Sequence, residues 1–260
     1  MRLETHLREH RDAGQRLLVP YVTGGLGDSW LDVVRAVADA GADAIEIGIP
    51  FSDPVMDGPT IQAASQRALE LGATPAKIVA DAAQLDVDVP LAVMTYENVV
   101  HHAGEERFAS MLADAGIDGA IVPDLPLEEI DSWATAADAA GVETVLLAAP
   151  NTPDERLARV CARSRGFVYG VSLMGVTGER TVLASRAADV ANRIKASTDL
   201  PVLLGVGIST SEQAVQACRH ADGVIVGSAL VRRLLDGGGP EAAHEFVSDL
   251  RAALDGVESR

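Results

Sequence analysis

The chain has 260 residues, 48% of them hydrophobic, enough to bury the core of one large α/β domain. Its formal net charge of -17 repels nucleic acid and anionic membrane surfaces, and its two cysteines, Cys161 and Cys218, are too few for a disulfide framework or a thiolate metal cluster. Residues 1–6 hold an acid and no apolar export segment, and no later run reaches the ~18 apolar residues of a membrane span, so a soluble chain in a reducing cytoplasm is expected.

Short runs rich in Val, Ile and Leu alternate with alanine-rich amphipathic stretches along the chain. A first strand over 17–22 precedes a helix over 29–40, and a second over 44–47 leads through an acidic loop to helices over 61–71 and 75–84. Strands over 91–94, 119–122, 144–147 and 167–170 are followed by helices over 105–115, 127–140, 153–164 and 185–197. The last two strands, 202–204 and 223–226, precede helices over 209–219 and 240–254. Thr152 before Pro153 and Thr210 before Ser211-Glu212 read as N-caps, while Gly41, Gly116 and Gly141 sit where a helix exits toward a strand.

Eight near-continuous apolar strands separated by helices imply a parallel sheet covered by helices, which closes most simply into a (β/α)8 TIM barrel, a single domain over 1–260. A doubly wound open sheet is the competitor. The turn after the first strand, Thr23-Gly24-Gly25-Leu26-Gly27-Asp28, lacks the Gly-x-Gly-x-x-Gly spacing of its dinucleotide fingerprint.

Functional groups in such a barrel lie at the C-terminal strand ends and in the loops beyond them. In the second strand Ile45, Ile47 and Ile49 share one face, so Ala44, Glu46 and Gly48 share the other. A carboxylate on that inner face costs about several kcal/mol unless it is partnered or used. The next loop, dense in prolines and glycines, supplies a second acid, Asp57. Glycine-bearing segments at 175–178, 205–209 and 227–229 follow the last three strands, and Ser228 opens a short helical stretch over 229–235 whose N-terminal dipole favours an anion. Together they describe a phosphate cradle of main-chain amides, which lets an acidic chain hold an anion. The histidines suggest no metal site: His101 and His102 are adjacent, and His6, His10, His220 and His244 fall on exposed-looking helical segments.

Glu46-Ile47-Gly48-Ile49-Pro50-Phe51-Ser52-Asp53-Pro54 with Asp57-Gly58-Pro59-Thr60-Ile61-Gln62 resembles the signature of the tryptophan synthase alpha subunit family. Blocks at Pro20 to Thr23, Met94-Thr95-Tyr96 with Asn98, Pro123-Asp124-Leu125-Pro126, Gly175 to Gly178, Gly205 to Ser209 and Gly227-Ser228 also resemble it, in family order, so the similarity spans nearly the whole chain. The resemblance implies a lyase that cleaves indole-3-glycerol phosphate to indole and glyceraldehyde 3-phosphate by retro-aldol chemistry, with no metal or cofactor in this chain.

By that analogy Glu46 is the proton donor and acceptor, and Asp57 accepts the indole N–H bond and stabilises the charge that develops there. Glu46 is expected to have a raised pKa and Asp57 to stay ionised. Tyr21, Met94, Ile121, Tyr169, Val171, Val206 and Ile225 map to the indole slot, Thr177 to the lid residue that bonds Asp57, and Gly178, Gly207, Gly227 and Ser228 to the phosphate site. Pro50, Phe51, Asp53 and Asp124 map to the contact with a beta subunit that carries pyridoxal phosphate, in an alpha2beta2 heterotetramer. Three alternatives stay open: a catalytically weak subunit that mainly activates a beta partner, a stand-alone indole-releasing lyase, and another phosphate-binding barrel.

Overall fold

A computed structural model of the chain describes residues 1–171, 180–205 and 207–256, and the side chains over those ranges apart from 180–186. Eight parallel strands pair in chain order and close on themselves: β1 (Leu17–Thr23), β2 (Ile45–Gly48), β3 (Leu91–Met94), β4 (Gly119–Ile121), β5 (Glu143–Ala148), β6 (Val168–Val171), β7 (Val202–Gly205) and β8 (Gly223–Val226). Closure runs through β1, whose Leu17 to Pro20 pair with Gly223 to Val226 of β8 while Tyr21 to Thr23 pair with Glu46 to Gly48 of β2. The expected barrel is the observed one. Among the described residues no helix is long and apolar enough to cross a membrane.

Alternation along the strands sorts the apolar residues into two layers. Ile45, Ile47 and Ile49 join Val93, Phe108 and Trp133 between the sheet and its helices, whereas Ala44, Ala92, Ile121, Val145, Tyr169, Leu203 and Ile225 fill the barrel interior. The outer layer is made by α2 (Trp30–Asp39), α3 (Pro59–Glu70), α4 (Pro75–Ala82), α6 (Glu105–Asp114), α7 (Asp131–Ala140), α8 (Asp154–Arg163), α9 (Arg180–Lys195), α10 (Ser211–Ala217), α11 (Ser228–Leu235) and α12 (Pro240–Asp255). Gly41, Gly116 and Gly141 have φ of 96°, 73° and 79°, the left-handed conformation that ends a helix at glycine without strain.

Several local expectations need correction. Thr210 caps α10 by accepting the Gln213 N–H, but Thr152 does not cap α8, since its hydroxyl accepts the Ala149 N–H inside the preceding turn at 3.0 Å. The predicted helix over 127–140 begins only at Asp131, and α5 (Glu97–Ala103) went unforeseen because seven residues hold too few apolar positions to show a period.

The largest surprise is α1 (Arg2–Asp12), read from sequence as exposed. Its Leu3 and Leu7, one turn apart, are fully buried in the barrel interior against Leu17 and Phe167, each contributing on the order of 1.5–3 kcal/mol. The buried Glu143 at the start of β5 accepts the N–H groups of Leu3 at 2.7 Å and Glu4 at 3.0 Å, satisfying two donors of the helix N-terminus. This helix plugs the N-terminal mouth of the barrel. His10, expected to be solvated, is half-buried and lies 2.6 Å from the Asp43 carboxylate.

Candidate active site

The C-terminal mouth of the barrel gathers the residues singled out from the sequence. Glu46 stands on β2 with Tyr21 of β1 and Ala92 of β3 level with it in the sheet, and Met94 at the end of β3 lies level with Ile121 of β4. Tyr169 and Ile225 belong to the interior layer, Val171 packs on it, and Met94 bridges it to Tyr21. Those six predicted slot residues converge on one apolar space. Val206, Thr177 and Gly178 lie outside the described residues.

Glu46 is 1% exposed, and its Oε2 has no hydrogen-bond partner among the described residues. Burial in this apolar mouth, with the charge of Asp57 as a second cause, pushes its pKa up to about 8. The carboxyl therefore holds a proton at neutral pH. Asp57 is half-buried on the loop between β2 and α3, where Gln62 Nε2 donates to its carbonyl at 2.8 Å. Desolvation raises its pKa too, opposed in smaller measure by the neighbouring Tyr96 hydroxyl, which favours the charged form. Among the described residues Glu46 is thus sealed with one unbonded oxygen while Asp57 is partly open, and burial raises the pKa of both.

The chain's three tyrosines, Tyr21, Tyr96 and Tyr169, all stand around these two acids. Burial raises the pKa of each phenol, and the neighbouring carboxylates add to it, so all three remain protonated. Tyr96 was absent from the residues assigned a role by sequence. The signal that pointed to it was its position two residues past Met94, at the end of a barrel strand.

Next to Tyr21, Gly227 is the N-cap of α11 and Ser228 its exposed first residue, while Gly207 has φ of 72° just past β7. A helix N-terminus of this kind is suited to a phosphate. Of the positions mapped to a partner contact, Asp53 is exposed and Pro50 is buried. Phe51 is half-buried and stacks on Tyr96, with ring centroids 5.1 Å apart. Asp124 is half-buried and its Oδ1 accepts the Glu97 N–H at 2.9 Å, which caps α5.

Comparison with known proteins agrees with this arrangement over nearly the full length. The profile of the family described as tryptophan synthase alpha chain matches residues 7–254. The chain belongs to that family. It is 44% identical to the tryptophan synthase alpha chain of Thermobifida fusca over 97% of this chain and 96% of that one. It is 46% identical to that of Methanosarcina mazei over 88% and 85%. Among solved structures, a chain of tryptophan synthase from Mycobacterium tuberculosis superimposes with a TM-score of 0.90 at 38% identity, covering 97% of this chain and 98% of that one. The tryptophan synthase alpha chain from Legionella pneumophila gives 0.86 at 32% identity, covering 100% and 99%.

Within this alpha-chain scaffold two glycines are required by close approach. A Cβ on Gly48 would collide with the Tyr21 hydroxyl, and one on Gly205 with the Tyr169 ring. In both places bare backbone leaves room for a full-sized phenol at the barrel mouth.

Proposed function

We propose that the chain cleaves indole-3-glycerol phosphate to indole and glyceraldehyde 3-phosphate, as the alpha subunit of tryptophan synthase. The observation that carries this reading is the sealed, unpartnered Glu46 beside Asp57 in an apolar, tyrosine-rimmed mouth. Breaking the bond between indole C3 and the glycerol side chain needs a proton at C3 and the loss of a proton from the adjacent hydroxyl. The bond's electrons return to the indole and the side chain leaves as an aldehyde. Glu46, protonated at neutral pH, donates the first proton, and its carboxylate accepts the second. Protonation at C3 leaves positive charge on the ring nitrogen, which the ionised Asp57 stabilises through the indole N–H.

Tyr21, Met94, Ile121, Tyr169, Val171 and Ile225 hold the indole, with Val206 completing the slot. Main-chain amides at Gly178, Gly207, Gly227 and Ser228 hold the phosphate, and Thr177 bonds Asp57 when the site closes. The rim at Phe51, Asp53 and Asp124, with Pro50 beneath it, receives a beta subunit in an alpha2beta2 assembly. That partner carries pyridoxal phosphate and uses the indole; no cofactor is assigned to this chain. The buried free thiols Cys161 and Cys218 suit a reducing cytoplasm.

An indole-release assay on the purified chain, with and without a beta subunit, tests the reading. Glu46→Gln is expected to lower kcat/KM by roughly 100- to 10,000-fold, with Asp57→Asn at the lower end of that range. Wild-type kcat/KM should fall as pH rises through about 8, where Glu46 loses its proton. Wild-type turnover by Glu46→Gln would sink the assignment.

A further inference from the structure

We propose that Tyr96 is the positioning residue for Asp57: its ring and hydroxyl form a strap that fixes the acid-bearing loop over the barrel mouth before substrate arrives. The inference rests on the proposed lyase reading and extends it to how the second acid is held.

Tyr96 is itself immobilised. It is 3% exposed and stands at the N-cap of α5, where its carbonyl accepts the Val99 N–H at 3.0 Å while Asp124 caps the next residue at 2.9 Å. From this fixed base it grips the loop at two points. The ring stacks on Phe51, at the loop's start, with an interplanar angle of 27°. The hydroxyl accepts the Met56 N–H at 3.2 Å, which sets it beside the side chain of Asp57, the next residue. A phenol has one proton and two lone pairs, so with Met56 on a lone pair the proton stays free to be donated to the Asp57 carboxylate beside it.

Between those grips the loop has little else. Ser52, Asp53, Val55 and Met56 are exposed, and Asp57 is in no ion pair among the described residues. Among the described residues, the charged and titratable groups facing Asp57 are Glu46 of β2, Tyr21 of β1, Tyr169 of β6 and Tyr96, with no cation among them. A neutral donor favours the charged form of Asp57 against the desolvation that raises its pKa, without cancelling the negative charge that the indole nitrogen needs. A cation in the same place would do the first and undo the second.

The test is Tyr96→Phe, which keeps the stacked ring and removes the hydroxyl. Indole release from indole-3-glycerol phosphate should fall roughly 10- to 100-fold in kcat/KM, the range for losing a hydrogen bond to a charged group. The acid limb of the pH profile should move to higher pH, and the alkaline limb, set by Glu46, should stay. In the Asp57→Asn background the same change should cost almost nothing, since the two residues act as one unit. An NMR titration of the Asp57 carboxyl carbon needs no substrate and should show a higher pKa in Tyr96→Phe. Phe51→Leu should give the same shift in smaller measure, and it carries the test if Tyr96→Phe does not fold. An unmoved carboxyl titration, or defects that multiply in the double variant, would overturn the proposal. A wild-type chain that releases no indole, with the Asp57 titration still shifted in Tyr96→Phe, would instead overturn the lyase reading alone.

Discussion

The two ends of the barrel treat buried acids in opposite ways. At the N-terminal end Asp43, Asp118 and Asp222, each just ahead of a strand, accept the N–H at the start of the preceding strand: Leu18 at 2.7 Å, Leu91 at 3.0 Å and Val202 at 2.9 Å. Each also has a cation or histidine within 3.3 Å: His10 and Arg251 for Asp43, Arg2 for Asp118 and Lys195 for Asp222. At the C-terminal end, among the described residues, Glu46 has an unbonded oxygen and Asp57 is in no ion pair. Partnered carboxylates hold the sheet together, and the one with an unbonded oxygen is the one we propose as the proton carrier. Burial alone does not distinguish the two kinds, since Asp43 at 4% exposed and Glu46 at 1% are alike in that respect.

The strongest way to break the comparison is to make the stable end behave like the reactive one. Asp43→Ala leaves the Leu18 N–H without its acceptor and takes one of two carboxylates from Arg251, which keeps Asp255 at 2.7 Å, so urea unfolding should show a loss of about 3 kcal/mol. Indole release per folded molecule should be nearly unchanged. A parallel loss of turnover would mean that the two ends are not separable.

A smaller effect, of opposite sign, is expected at Glu46. An acid whose pKa rises from 4.5 unfolded to about 8 folded binds more protons in the folded state between those values. Its cost to stability is absent below the unfolded value, grows as pH rises between the two, and is complete above pH 8. Glu46→Gln should therefore be more stable than wild type at pH 8, by on the order of 1–3 kcal/mol, with the difference shrinking toward pH 4.5. Melting curves across that window check it, and an equal gap at both ends would refute it.

The smallest effect sharpens which bond matters at the stable end. Arg2→Ala removes a half-exposed partner of Asp118, whose bond from the Leu91 N–H survives, so the cost should stay under about 1 kcal/mol in a thermal melt. A larger loss would show that the cation, not the amide, secures that carboxylate.

Periodicity made the barrel legible because its strands are buried on both faces and its helices on one, so the residues that fill the core are also the residues that display the period. The face that Glu46 occupies followed from alternation alone, and its pairing with Asp57 from the long motif that joins them. What the order of residues could not express was partnership across distance. Leu3 and Leu7 look like two stray apolar residues on a polar helix until the open mouth of the barrel gives them a place, and His10 looks solvated until Asp43 meets it from 33 positions away. Tyr96 meets Asp57 in the same way, across 39 positions, counted as 96 minus 57. Local sequence determined which residues turn inward, because side-chain direction is a property of the backbone period. Only the closed fold decided which buried acids find a donor or a cation and which are left to titrate, because that depends on groups brought together from separate strands and helices.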